Sequence, residues 1–269
     1  MTQLRVGVTL PQFRAEAEPA LSTAARAEAL ALDGVFVFDH LWPLHQPERP
    51  ALHSYELLAA LAVETATVAL GTLVARVALL PDAVLVHNFA TLHRMLGDRL
   101  IAAVGTGDSS NKDENLAYGV EFPPKARRLE SLANCCQQLR DRGITTWAGG
   151  LSPEVREIAA AHADGWNAWG VDPAALANGI LEAKRLAGPR PLTMSWGGQV
   201  LIGRDQAEAD EKAARIGLRP GLVHGTVETL RDHFRELVDA GATWAICSPL
   251  DVGTDPDALA LIAEARAGL

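Results

Sequence analysis

Short β-branched apolar runs alternate along the whole chain with longer amphipathic stretches rich in Ala, Leu, Glu and Arg. A strand that is apolar on both faces needs cover on both, and crossover helices supply it in a parallel sheet. The runs predict strands over residues 4–10, 35–38, 68–74, 100–105, 144–148, 166–169, 192–202 and 244–248. The periodicity between them predicts helices over 16–32, 54–65, 82–96, 125–142, 153–162, 173–186, 205–216 and 227–240, with 256–267 as the last. Eight strand–helix pairs, opening on a strand and closing on a helix, describe an α/β (β/α)8 TIM barrel better than an open doubly wound sheet. Asp82 and Ser152 suit helix N-caps, and Thr226 precedes an acidic first turn containing Glu228.

No linker, low-complexity tract or internal repeat divides the sequence, so residues 1–269 read as a single domain. Barrels of this kind commonly take about 250 residues. The formal net charge of −9 argues against nucleic acid or an anionic membrane as partner. No run is long and apolar enough to span a bilayer. Residues 1–12 lack a basic segment followed by an apolar one, and read as a first strand, not a signal peptide. Cys135, Cys136 and Cys247 form no CxxC and no paired framework, which suits buried thiols in a reducing cytoplasm. The expected partners are a small-molecule substrate and, as a candidate, a second copy in a homodimer.

A barrel places its active site at the carboxyl ends of its strands. Those ends carry Pro11-Gln12, Asp39-His40, Leu73-Val74, Gly105-Thr106-Gly107-Asp108, Gly149-Gly150, Gly170, Ser195-Trp196-Gly197-Gly198 and Ser248-Pro249. Asp39-His40 is the sharpest signal, because the apolar run GVFVF stops at an acid and an imidazole. Histidine titrates near neutral pH, and an adjacent carboxylate can orient it. The same dipeptide also suits a capping acid beside a surface histidine. The backbone at Gly105 and Gly107 could approach a ligand. Gly149-Gly150, just before a capped helix, is the better phosphate candidate, although glycine also serves ordinary turns. There is no GxGxxG after the first strand, no P-loop, no HxH or HExxH and no GxSxG. The six tryptophans could stack on a flat ligand, but packing explains them as readily.

Taken in order, five segments resemble the bacterial luciferase-like superfamily, and within it the coenzyme F420-dependent branch. They are VGVTLPQF, AEALALDGVFVFDHLWP, VALGTLVARVALLPDAVLVHNFATLHRMLGDRLIAAVGTG, WAGGLSPEVREIAAAHADGWNAWG and VHGTVETLRDHFRELVDAGATWAI. The resemblance implies a flavin or deazaflavin ring across the barrel mouth, with Asp39 and His40 beside it and His40 as the acid/base group. Leu73-Val74 matches a bulge that backs the ring, often through a non-proline cis peptide. Thr72, Gly105, Thr106 and Gly107 match cofactor-facing positions. Gly149, Gly150 and Gly170 fall where phosphate and ribityl contacts lie. Lys125, Arg127 and Arg128 are candidates for holding an acidic tail, or are simply a solvated face.

The sequence departs from the family between the fourth and fifth strands. This segment is shortened, with 121–144 reading almost entirely as one helix, and the missing part normally helps cover the substrate. The family's Leu-Asp-x-x-Ser-x-Gly-Arg run appears here as residues 92–99, keeping Arg99. The implied activity is hydride transfer between F420 and a small organic substrate. The alternatives are an FMN-dependent monooxygenase and a paralogue that binds flavin without turnover. A metal-dependent hydrolase would want a His pair where Pro11-Gln12 stand.

Overall fold

The computed structural model describes residues 3–269. Ten strands form in chain order: β1 (Arg5–Thr9), β2 (Gly34–Val37), β3 (Ala69–Thr72), β4 (Ala75–Arg76), β5 (Leu100–Gly105), β6 (Thr146–Gly149), β7 (Gly165–Trp169), β8 (Thr193–Gly203), β9 (Val223–Thr226) and β10 (Trp244–Pro249). All pairings are parallel, and β10 bonds both β1 and β8, so eight of the strands close into a barrel in sequence order. The helices are α1 (Glu18–Ala29), α2 (Ser54–Glu64), α3 (Asp82–Leu96), α4 (Lys112–Ala117), α5 (Lys125–Arg140), α6 (Pro153–His162), α7 (Pro173–Ala187), α8 (Gln206–Ile216), α9 (Val227–Ala240) and α10 (Ala258–Ala267).

The predicted eight-strand barrel is present, with three local differences. The run 68–74 is not one strand: β3 ends at Thr72, the Leu73–Val74 peptide is cis, and the chain resumes pairing with β5 as β4. Strand β9, absent from the sequence reading, adds to the outer end of the long β8 and lies off the ring. The stretch before α5 is not helix from residue 121; a separate short helix, α4, precedes it. Ser152 and Thr226 cap their helices as expected. Asp82 does not; Pro81 holds the N-cap position of α3, and the Asp82 carboxylate accepts instead from Ser131 and Asn134 on α5.

Side chains alternate along each strand between two apolar clusters. Val35, Val37, Ala102, Val104, Ala148 and Ala245 join the large cluster under the helices. Phe36, Ile101, Ala103, Trp147, Trp244 and Ile246 form the smaller one inside the barrel. Phe36 meets Trp244 edge-on at 5.7 Å, and Trp147 meets Trp244 at 5.6 Å. Aromatic pairs of this geometry contribute about 0.5–1.5 kcal/mol beyond the area they bury. Glycine is required beside this plug: a Cβ on Gly7 would stand 2.8 Å from the Phe36 ring. The interior is thus filled from below, and only the carboxyl end is left open.

Candidate active site

The open end holds a cavity of about 1060 Å³. Of the residues expected to carry catalysis or to face the ring, phosphate or ribityl chain of a cofactor, Asp39, His40, Leu73, Val74, Gly105, Thr106, Gly107, Gly149 and Gly150 line it. Two do not. Thr72 is fully buried, its hydroxyl bonded to the Ala103 carbonyl. Gly170 follows β7 and is not part of the cavity lining; its N–H donates to the Gly197 carbonyl at 2.7 Å.

Asp39 and His40 are neighbours in sequence but do not bond each other. They lie just past the end of β2 and take separate partners. The Asp39 carboxylate, 5% exposed, accepts from the Ser54 hydroxyl at 2.9 Å and from the Arg76 backbone N–H at 2.7 Å. It therefore ties the end of β2 to α2 and to the chain just past the Leu73–Val74 bulge. The carboxylate on His40 is Glu114, 74 residues away, with its Oε2 at 3.1 Å from Nδ1.

Glu114 was missed in the sequence. It sits on α4, inside the segment read as shortened, and its side chain is 1% exposed. One of its oxygens accepts from the Leu41 N–H. The other accepts from Arg76 Nη1 at 2.9 Å as well as facing His40. Burial acts to raise the pKa of Glu114; the bonds from His40 and Leu41 and the charge of Arg76 outweigh it and hold the carboxyl below its ordinary value. Arg76, 5% exposed, also bonds the Asn115 side chain and lies 3.9 Å from Asp39. Nothing local in KDENLA marked this helix: four polar residues followed by Leu116 and Ala117 are too short a run to show an apolar period.

The glycines that end β5 and β6 are explained by Val74. A Cβ on Gly105 would meet Val74 Cγ2 at 2.5 Å, and one on Gly149 would meet Cγ1 at 2.6 Å. The bulge thus seats its valine on two bare backbones. Past Gly149 the chain enters α6 behind the Ser152 N-cap, with Gly150, Leu151 and Ser152 at the cavity edge; Pro153 has no N–H, and the N–H groups of Val155 and Arg156 donate to Ser152. Lys125 and Arg128 line that edge; Arg127 does not, and pairs with Glu130 in solvent. Lys125 reaches Glu154 at 2.8 Å. Arg128 lies over the Phe122 ring at 4.1 Å and donates to the Pro123 carbonyl. Burial pushes its pKa down, opposed by the charge of Asp108.

All three cysteines are buried free thiols outside the cavity lining, and burial pushes Cys135 up to about 12. Among the described residues no three His, Cys, Asp or Glu side chains gather as metal ligands, and no helix is long and apolar enough to cross a membrane.

A parallel barrel plugged below and open above, with polar groups converging on one cavity, is built to take up a small molecule. Residues 1–149, more than half of the chain, match the family model of luciferase-like monooxygenases, and the chain belongs to that family. Over 128 residues it is 31% identical to the F420-dependent glucose-6-phosphate dehydrogenase of Microbacterium testaceum; the match covers 46% of this chain and 35% of that protein. The chain thus spans about a third of the length of the curated relatives it matches. A solved F420-dependent secondary alcohol dehydrogenase, in complex with an F420–acetone adduct, shares the fold with a TM-score of 0.81 over 98% of each chain, at 17% identity. The oxygenating constituent of 3,6-diketocamphane monooxygenase from Pseudomonas putida, in complex with FMN, has a TM-score of 0.75 over 99% of this chain and 98% of that one, at 14% identity. At these identities the structural likeness shows the fold alone.

Proposed function

We propose that this chain is an oxidoreductase that moves a hydride between coenzyme F420 and a small organic substrate. The observation that carries the reading is His40, held on the cavity wall beside the Leu73–Val74 bulge, in a chain whose curated relatives are named as F420-dependent. The residues present fit such a cofactor. The cavity is roomy enough for a drug-sized ligand or more. The paired bare backbones of Gly105 and Gly149 seat the bulge that would back a flat ring. The positive end of the α6 dipole, with Lys125 and Arg128 on the same edge, offers positive charge for a phosphate and acidic tail.

A bound deazaflavin supplies the hydride donor or acceptor. The chain's own part is to hold the reactants together, exclude water from below with the Phe36–Trp147–Trp244 plug, and move a proton at His40. Asp39 serves the site by fixing the bulge through the Arg76 N–H. An FMN-dependent monooxygenase is the second reading, supported by the FMN-bound neighbour of the same fold. Binding without turnover has less support, since the shortened segment still contributes Glu114 to His40 and Arg128 to the cavity.

The test is a fluorescence-quenching titration of F420 and of FMN against the same apoprotein. F420 is expected to bind more tightly. Micromolar or better FMN binding with no response to F420 would put the monooxygenase reading first.

A further inference from the structure

We infer that Glu114 is a positioning residue that sets the tautomer of His40, so that the imidazole shows a bare Nε2 to the cavity. The inference rests on the reading of His40 as the proton-transfer group, and supplies what that reading lacks: which nitrogen acts.

The argument is one of donors and acceptors. Three groups surround the Glu114 carboxylate: the Leu41 N–H on Oε1, and Arg76 Nη1 and His40 Nδ1 on Oε2. The first two can only donate. A carboxylate this deeply buried is tolerated because those donors and the Arg76 charge compensate its lost hydration. Ionised, it has no hydrogen to offer. Its contact with Nδ1 is then a hydrogen bond only if Nδ1 carries the proton. A neutral imidazole has one N–H, so Nε2 is left with its lone pair free. Among the described residues nothing bonds Nε2, and His40 lines the cavity. A substrate hydroxyl can therefore give its proton to Nε2, and in the reverse direction the protonated ring returns it. Asp39 cannot do this work, because both its oxygens are committed to Ser54 and to the Arg76 backbone.

Glu114→Gln keeps the shape and removes the arrangement. An amide has one oxygen and one NH2, and one of the two faces of this site must now oppose donor to donor. If the NH2 turns toward Arg76 and His40, the imidazole relieves the clash by carrying its hydrogen on Nε2, which presents an N–H to the cavity.

The experiment is long-range 1H–15N correlation NMR of the histidine rings in the apoprotein at about pH 8.5, two units above the ordinary histidine value of about 6.5. The His40 signals are identified by their loss in His40→Gln. In the wild-type protein His40 is expected to show a protonated Nδ1 and a bare Nε2. In Glu114→Ala, and in Glu114→Gln with its NH2 toward the ring, the pattern shifts toward protonated Nε2, and in Glu114→Asp, which keeps the charge on a shorter arm, it stays closer to wild type. A wild-type His40 with its proton on Nε2 overturns the inference without any variant being needed. So does an unchanged tautomer in a folded Glu114→Ala, which takes the acceptor away from Nδ1 whichever way a glutamine would turn. Neither cofactor nor substrate enters this measurement, so an inactive or differently specific enzyme bears on the proposed function and leaves the tautomer result intact.

Discussion

Two nearly buried ionic clusters stand at the open end of the barrel. In one, Arg76 lies between Asp39 and Glu114. In the other, Lys212 of α8 lies between Asp251 and Asp255, bonding also to the Ile202 carbonyl. The ingredients are similar: one cation about 5% exposed among carboxylates, two for Arg76 and three for Lys212, which also lies 3.5 Å from Glu208. The surroundings differ. The Arg76 cluster includes an imidazole on the cavity wall. The Lys212 cluster ends on the turns after β10, whose residues Leu250, Val252 and Gly253 line the cavity without a titratable group among them. On the proposed reading, buried charge orients a reactive side chain in one cluster and braces a rim loop in the other. The substitutions below separate these uses.

The largest effect is expected at His40. Replacing it with alanine should lower turnover by roughly 10² to 10⁴ and leave cofactor affinity nearly unchanged. The side chain faces the cavity from the end of β2 and is held from Nδ1, and it does not touch the glycines that end β5 and β6. Steady-state rates with a verified substrate, beside a cofactor titration, give both readings. Full activity in His40→Ala would reduce the Arg76 cluster to a brace like its counterpart.

Next comes Lys212→Met. It leaves Asp251, 2% exposed, and Asp255 facing each other without their cation. Removing one partner of a buried pair costs about 3–5 kcal/mol, to be read by urea unfolding. A loss below about 1 kcal/mol, the range of a surface pair, would show that water reaches this cluster and that the likeness of the two is only geometric.

How these clusters relate to the sequence is instructive. The bounds of α3 and α6 could be read directly, because Pro81 and the Ser152-Pro153 start are local signals and the apolar period runs two turns or more. The barrel count was legible for the same reason. The site was legible by position and only partly by role. Asp39 and His40 announced themselves by ending an apolar run, yet adjacency suggested a pairing that the folded chain does not make. The true partner is on a six-residue, mostly polar helix, and a contact across 74 residues leaves no local trace. Gly105 and Gly149 were visible as glycines, but their reason is the Val74 side chain, brought over them by a bulge that the strand pattern hid.

That bulge supplies a smaller test of the Arg76 cluster, since Asp39 grips it from one side while the glycines receive it on the other. Gly149→Ala should destabilise the protein by about 1–3 kcal/mol, the usual cost of overpacking. Adding Val74→Ala should recover much of that loss, because the Val74 Cβ stands 3.5 Å from the new methyl and only its γ-methyls collide. Thermal unfolding of the two single variants and the double variant measures the coupling. Additive losses would mean that Gly149 is needed for a reason other than Val74.

The smallest effect expected is in the pH dependence of stability, and it distinguishes the clusters by the chemistry of their cations. Burial acts to lower the pKa of Lys212, but its bonds to Asp255 and Asp251 outweigh this and raise it above the ordinary 10.5. That contribution is complete below pH 10.5 and is lost as pH climbs through the raised folded value. Asp255 runs the other way. Burial acts to raise it, the Lys212 bond and charge hold it below the ordinary 3.8, and its contribution is present above 3.8 and lost as pH falls through the lowered value. Glu114, held below 4.5, behaves like Asp255 on the acid side. Its cation is a guanidinium, which does not deprotonate in proteins, so its cluster has no alkaline counterpart. The difference in Tm between wild type and Lys212→Met should therefore be flat at neutral pH, shrink below pH 3.8 and shrink again above pH 10.5. The acid loss owed to Glu114 should appear equally in both proteins. A difference that stays flat through the alkaline range would show that Lys212 gains nothing from its carboxylates, and the two clusters would then share a shape and no energetics.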